Sequence, residues 1–435
     1  VAKRLSTLGA EVFISDQKPK SQLTSQIEDL KGFRIKILAG EDYNILPEGT
    51  DLVVVSPGVP LTIPAIRKAY ESNVPVISEI ELAYQLTKAP IIAITGTNGK
   101  TTTTTLIGQI LKDYNCKTLV GGNIGNPLID EVIKAGPEHI IVAEVSSFQL
   151  ETIDKFKPHI SVILNLTEDH LDRHGNFLNY VYAKARIFEN QTARDYAVLN
   201  GDDPQVAALG AKVKQARVVL FSQQMVLAEG VWVEKGQIVA NLFGQKLTIC
   251  PIREIAIKGK HNLENALAAV TVTLLCGVAP ESIAHTLKTF PGVEHRLELV
   301  DEINQVKYIN DSKGTNPDST LKALAAYDGP LILIAGGKDK GTDFTVLAEA
   351  IVKRVKHLVL IGQAADKIEH AVKKLGFRNI DRAQSMEEAV NLCAQLAAPG
   401  DIVMLSPACA SFDMFNNFEE RGRVFKAAVR NLRRD

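Results

Sequence analysis

Short apolar runs, each closed by glycine, proline or polar residues, recur along the chain and alternate with stretches of helical periodicity. Up to about residue 85 the runs are AEVFIS (10–15), FRIKILAG (33–40), DLVVVSPG (51–58) and VPVIS (74–78). Strands separated by amphipathic helices predict parallel βαβ units. The turn SPGVP (56–60) follows a fully apolar run, as loops at the carboxyl edge of such sheets do. A new pattern starts near Ala89: Pro90 precedes the apolar run IIAIT (91–95), and HIIVAEVS (139–146) and HISVILNLT (159–167) follow. A helix is predicted over 177–190. RVVLFS (217–222) with GVWVEKGQIVANLFGQKLTI (230–249) predicts antiparallel hairpins, and HNLENALAAVTVTLLCG (261–277) a helix with Gly277 as its C-cap. Beyond the linker FPGVEHRLE (290–298), the runs VKYIND, PLILIAGG, HLVLIG and DIVMLSP alternate with helices and predict a second doubly wound sheet.

At 435 residues the chain is too long for one hydrophobic core. The breaks divide it into three α/β domains: 1–88, Rossmann-like; 89–291, of the phosphate-loop ATPase type with a small β-rich part; and 292–435, again Rossmann-like. Lys and Arg (49) nearly balance Asp and Glu (50), and no concentrated basic patch suits a nucleic-acid partner. The basic end RNLRRD reads as a solvated helix terminus. Cysteines 116, 250, 276, 393 and 409 are scattered, odd in number and without CxxC spacing. That argues against a disulfide framework or zinc knuckle and fits a reducing, cytoplasmic compartment better. No apolar run reaches the roughly 18–20 residues a membrane span needs.

The candidate chemistry begins at GTNGKT (96–101), between a buried strand and a helix. Gly96 and Gly99 allow backbone N–H groups to approach an anion, Lys100 can reach β- and γ-phosphates, and the Thr101 hydroxyl suits magnesium. The Walker pattern is imperfect, because Ile94 stands where its first glycine would be. VAEVSSFQLE (142–151) places Glu144 at the end of a buried strand, where an unpaired carboxylate is costly unless it meets a cation. NLTEDHLDRHG (165–175) places Glu168, Asp169, His170, Asp172 and His174 after another. Glu144 and His170 are read as metal ligands, Asp172 and His174 as loop caps. Asn262 and Asn265 share a helix face near its start; Asn262 either orients a nucleotide or caps the helix.

Taken in order, TGTNGKTTT, GGNIG (121–125), EVSSFQLE, NLTEDHLDRH, YAKARIF (182–188), GKHNLENALAA (259–269), EHRLE (294–298), NDSKGTNP (310–317), IAGGKDKGTDF (334–344) and LSPACASFDMFNNFEERG (405–422) resemble the ATP-dependent Mur ligases of peptidoglycan precursor synthesis. The resemblance spans essentially the whole chain, and its last three motifs are similar to those of the D-glutamate-adding branch. It implies a ligase that phosphorylates the carboxylate of UDP-N-acetylmuramoyl-L-alanine with ATP and lets the amine of D-glutamate attack the acyl phosphate. It further implies ATP contacts from Gly96, Thr97, Asn98, Gly99, Lys100, Thr101, Thr102, Asn262 and Arg296, with Asp311 at the ribose. Two magnesium ions would be held by Thr101, Glu144, His170 and a carbamylated Lys184; Lys100, Lys184 and His170 would be the catalytic set. Asp16, Gln17, Lys18 and Asn123 would contact the uridine substrate, and Thr315, Lys340, Ser411 and Phe418 would hold D-glutamate. The family begins with a strand and a glycine-rich turn that this sequence, opening at Val1, is expected to lack. A monomer acting on small molecules is expected. Alternatives are a sister Mur or folylpolyglutamate-type ligase, or a phosphate-loop nucleotide-binding protein without ligase activity.

Overall fold

The computed structural model describes residues 1–339 and 341–433 and divides into two compact units, Val1–Ile249 with Leu267–Ile283, and Cys250–Ala266 with Ala284–Asp435. In the first unit, β1 (Val12–Asp16) pairs in parallel with β2 (Ile35–Ala39), and β3 (Val53–Val55) with β4 (Val76–Ser78). The expected parallel pairing is present, but as two separate two-stranded sheets. The β1–β2 pair buries a single side chain, Val12. Helix Glu79–Leu86 ties this segment to the next. Its fully buried Glu81 accepts N–H groups of Asp154, Lys155 and Phe156 (2.9, 3.0 and 2.7 Å) and of the Gln85 amide (2.7 Å). Four donors offset the cost of burying that charge.

Nine strands follow: β5 (Ile91–Thr95), β6 (Thr118–Gly122), β7 (Ile140–Glu144), β8 (Ile160–Ile163), β9 (Tyr196–Asn200), β10 (Arg217–Ser222), β11 (Gly230–Glu234), β12 (Gln237–Leu242) and β13 (Gln245–Pro251). They form one sheet in the order β13-β12-β11-β10-β9-β8-β5-β7-β6. From β6 to β11 every pairing is parallel, and β12 returns antiparallel to β11. The hairpins expected over 217–249 therefore begin only at β11. Arg217–Ser222 is a parallel strand because helix Pro204–Leu209, capped by Asp203, carries the crossover from β9. β5 lies between β7 and β8, so its carboxyl end sits where the strand order reverses, the position at which open α/β sheets bind ligands.

The predicted helix over 177–190 is α-helical at Phe177–Ala185 and tightens to 3-10 geometry over Arg186–Phe188. Helix Lys260–Leu275 ends as expected: Gly277 has φ +79° and the Val278 N–H donates to the Thr273 carbonyl at 3.0 Å.

The second unit carries a six-stranded sheet ordered β14-β15-β19-β16-β17-β18, made of β14 (Glu298–Ile303), β15 (Val306–Asn310), β16 (Leu331–Gly336), β17 (Val355–Ile361), β18 (Ile380–Arg382) and β19 (Ile402–Leu405). Only β14 is antiparallel to its neighbour. Alternation along β16 sends Leu331, Leu333 and Ala335 against Leu347 and Ile351 on one face. Ile332 and Ile334 meet Phe425 and Val429 on the other. Both faces are thus covered by helices, as the sequence pattern predicts. All five cysteines are free, and among the described residues no helix is long and apolar enough to cross a membrane.

Candidate active site

The fully buried run Ile91–Thr95 delivers the chain to the carboxyl edge, and helix Lys100–Asp113 leaves it. The turn between them needs glycine at two points. Gly99 is the helix N-cap at φ +85°, and Gly96 has φ +145°, where a Cβ would lie 3.1 Å from Leu164 Cβ and 3.3 Å from Asn165 N. The segment after β8 lies directly beneath this loop. Asn165 accepts the Thr97 N–H with its carbonyl (2.9 Å) and the Asn98 N–H with Oδ1 (2.8 Å), and donates its amide to the Asn98 carbonyl (3.1 Å). Thr97 Oγ1 accepts from the Thr167 N–H (3.0 Å) and lies 3.1 Å from the Tyr180 hydroxyl. Neither Asn165 nor Tyr180 carries a phosphate-loop signature in the sequence.

Lys100 folds back over the turn and donates to the carbonyls of Gly96 (2.9 Å) and Thr97 (2.8 Å). Thr101 and Thr102 are buried at the helix start, and Thr102 Oγ1 has no partner. Lys184 reaches the same place from helix Phe177–Ala185. Its ammonium donates to the Gly96 carbonyl (2.9 Å) and Thr95 Oγ1 (3.2 Å), and sits 4.8 Å over the ring of Tyr180, one turn earlier. At 2 % exposure Lys184 is far from the solvated lysine its helical context alone suggests. Burial, reinforced by the charge of Lys100, drives its amine well below the ordinary lysine value; Asp169 and Glu144 pull the other way.

Glu144 closes β7 at 2 % exposure. Its Oε1 accepts from the Asn123 amide at 2.9 Å, while Oε2 is buried without any partner. Asn123, expected at the uridine substrate, is thus joined to the expected metal ligand. An unpartnered buried carboxylate oxygen fits a cation, as the turn geometry fits an anion. His170 is half-exposed at φ +52°, with its ring edge-on to Phe148 at 4.8 Å and Nε2 3.6 Å from Asp169 Oδ2. His174 is buried, 3.0 Å from the Ser147 hydroxyl. Among the described residues, three metal-ligand side chains converge only at Glu294, His295 and Glu298, where Lys426 already neutralises both carboxylates. In the N-terminal segment, Asp16 accepts the Lys18 N–H at 2.8 Å where β1 ends, leaving Gln17 and Lys18 exposed.

In the second unit, Asn262 donates to the Lys258 carbonyl (2.8 Å) and accepts from Asn265 (3.2 Å), so the paired asparagines do share one face. Arg296 Nε is buried without a partner. Asp311 is held by the Ser406 hydroxyl (2.7 Å) and the Leu297 N–H (3.3 Å). Burial pushes its carboxyl up to about 6 against the pull of Ser406 and Arg296. Burial pushes His261 down to about 4, with Arg296 and Lys322 adding to the effect.

The loops after β15, β16 and β19 are stitched together: Lys338 N–H to the Ala410 carbonyl (2.8 Å) and Ser312 hydroxyl to the Phe418 carbonyl (2.8 Å). Arg421, buried at 1 % exposure, donates to the Ser312 hydroxyl and carbonyl (3.0 and 2.7 Å) and to the Cys409 carbonyl (3.1 Å). Exposed Thr315 and buried Ser411 lie on these loops and half-buried Phe418 opens the helix Phe418–Asn431, whereas Lys340 lies outside the described residues. Arg421 carries no signal in the sequence, because EERG reads as an ordinary charged helix face.

Comparison with known proteins covers most of the chain. The Mur ligase middle domain matches residues 94–273, and the Mur ligase glutamate ligase domain matches residues 295–409. The UDP-N-acetylmuramoylalanine–D-glutamate ligase of Pelotomaculum thermopropionicum is 52 % identical over 434 residues, spanning 100 % of this chain and 95 % of that protein. The ligase of the same name from Thermoanaerobacter sp. X514 is 50 % identical over 436 residues, 100 % of this chain and 96 % of its own. Among solved structures, UDP-N-acetylmuramate–alanine ligase MurC of Thermotoga maritima superposes with a TM-score of 0.60 at 21 % identity, over 99 % of this chain and 96 % of that one. MurF ligase of the same organism, in complex with ADP, gives 0.61 at 16 % identity, over 89 % of this chain and 100 % of that one.

Proposed function

The chain belongs to the Mur ligase family, and from that membership we infer that it joins D-glutamate to UDP-N-acetylmuramoyl-L-alanine at the expense of ATP, in peptidoglycan precursor synthesis. The observation that carries this reading is the edge around β5: a glycine turn with two lysines on its Gly96 carbonyl, beside a buried Glu144 oxygen with no partner. The reading makes the chain an acid–D-amino-acid ligase acting as a monomer in the cytoplasm, where ATP and uridine-activated precursors are made. Three functional domains are assigned: 1–88 for the uridine substrate, 89–291 for ATP and 292–435 for D-glutamate.

The residue roles follow from charge. Residues 96–102 cradle the phosphates through the N–H groups at the helix start, the Thr97 and Asn98 N–H groups being held by Asn165, and Lys100 offsets the negative charge that builds on the transferring phosphoryl. Asn262, Arg296 and Asp311 are assigned to ATP, with Asp311 at the ribose. Thr101, Glu144, His170 and carbamylated Lys184 are the residues that would hold two magnesium ions. Magnesium, when bound, would draw charge from phosphate and carboxylate oxygens. Lys184 is suited to carbamylation because its depressed basicity favours the free amine, the form that adds carbon dioxide. The product is an anion, which relieves the repulsion between Lys184 and Lys100. Asp16, Gln17, Lys18 and Asn123 are assigned to the uridine substrate. Thr315, Lys340, Ser411 and Phe418 are assigned to D-glutamate: one cation and two hydroxyls for its carboxylates, and a ring against its short side chain.

Phosphate release measured with ATP, magnesium, UDP-N-acetylmuramoyl-L-alanine and a panel of amino acids tests the assignment. Turnover is expected with D-glutamate and at least about a hundredfold less with L-glutamate, lysine or a diamino acid, because mismatched polar groups would be left unpaired. Equal turnover with lysine or a diamino acid would point to a sister ligase. ATP binding without turnover on any acceptor would point to a nucleotide-binding protein.

A further inference from the structure

The phosphate loop stands on the segment 164–167, and that segment is itself held from its far side by residues with no place in the chemistry. Asn200, at the end of β9 and 2 % exposed, donates its amide to the Leu164 carbonyl at 2.9 Å. Asp203, three residues on, divides its two carboxylate oxygens between two tasks. Oδ1 accepts the N–H groups of Gln205 (2.9 Å) and Val206 (3.1 Å), capping helix Pro204–Leu209. Oδ2 accepts the N–H of Leu166 at 2.9 Å. Leu166 adjoins Asn165 and Thr167, the residues that make every contact described above between this segment and Thr97 or Asn98. A helix cap needs only one acceptor oxygen. The second oxygen leaves the helix and fixes the backbone on which the phosphate loop rests.

We infer that Asp203 is a positioning residue for the phosphate loop: through Leu166 it fixes Asn165 and Thr167, and through them the Thr97–Asn98 turn that leads into the helix start at Lys100. Substrates are not touched by it. Its loss would act on nucleotide binding rather than on the acceptor, since a displaced turn misplaces the helix start that faces the phosphates and leaves the second unit's loops unchanged. The inference rests on the assignment of nucleotide to residues 96–102.

The two oxygens can be separated experimentally. Asp203→Ser and Asp203→Asn each retain one acceptor, which keeps the cap, and each loses the tie to Leu166. Val206→Ala, at a fully buried position of the same helix, loosens the helix and spares the tie. Titration of the full chain with a non-hydrolysable ATP analogue and magnesium should show at least fivefold weaker binding in both Asp203 variants. Val206→Ala should bind within twofold of the parent despite a lower melting temperature. Hydrogen exchange without ligand should quicken at the amides of Leu166, Thr97 and Asn98 in the Asp203 variants, with Gln205 and Val206 unchanged. Binding less than fivefold weaker in both Asp203 variants, or an equal loss in Val206→Ala, would overturn the inference. So would faster exchange confined to residues 204–209. A parent chain that binds no ATP analogue would instead remove the nucleotide assignment itself.

Discussion

Lys100→Ala is expected to lower kcat for ligation about a thousandfold while the protein keeps its melting temperature within a few degrees. The fold loses little, because the lysine donates to carbonyls of its own turn, Gly96 and Thr97, and the Gly96 carbonyl keeps its second donor, Lys184. On the proposed assignment of Lys100, the reaction loses a preorganised positive charge at the transferring phosphoryl group, a kind of contribution that commonly reaches about 3–4 kcal/mol in a site shielded from water. Steady-state phosphate release with saturating substrates, paired with thermal melting, checks both halves. A kcat within tenfold of the parent would place Lys100 away from the phosphates.

Lys184→Ala is expected to be at least about a hundredfold slower, and to recover part of its rate when acetate or formate is supplied. If Lys184 works as its carbamate, the variant removes an anion as well as a stem, and a small carboxylate can occupy the vacated space and restore the charge. The parent should lose rate in buffer stripped of carbon dioxide and regain it with bicarbonate. Adding carbon dioxide needs the unprotonated amine, so the rate should also fall as pH drops through the depressed lysine pKa. No rescue by carboxylates, together with a rate indifferent to carbon dioxide, would show that the free amine is the working form.

Sequence patterning made the strands of the sheet centres legible because they are buried on both sides and read as unbroken apolar runs: IIAIT and LILI needed no context. β18, three residues long, and β14, with its half-exposed Glu298–Ile303, lack that signature. Edge strands are held by pairing more than by burial, and pairing leaves little trace in one segment. The same reason explains β10. Arg217–Ser222 has the composition of a hairpin strand, and only the crossover through the capped helix Pro204–Leu209 makes it parallel. In the site, Gly96, Gly99 and Lys100 announce themselves by residue type and spacing. Lys184 does not; its meaning lies in a buried contact with the Gly96 carbonyl 88 positions away. Asn165, Asp203 and Arg421 belong to the same class, since a polar side chain that braces a loop looks like any other until its partner is known.

The most direct measurement follows oxygen. UDP-N-acetylmuramoyl-L-alanine labelled with 18O in its carboxylate is turned over with ATP, magnesium and D-glutamate, and the inorganic phosphate is analysed by mass. If the carboxylate is phosphorylated before the amine attacks, one 18O atom passes into phosphate for each amide bond formed, and that is the predicted result. Unlabelled phosphate released alongside amide product would contradict it.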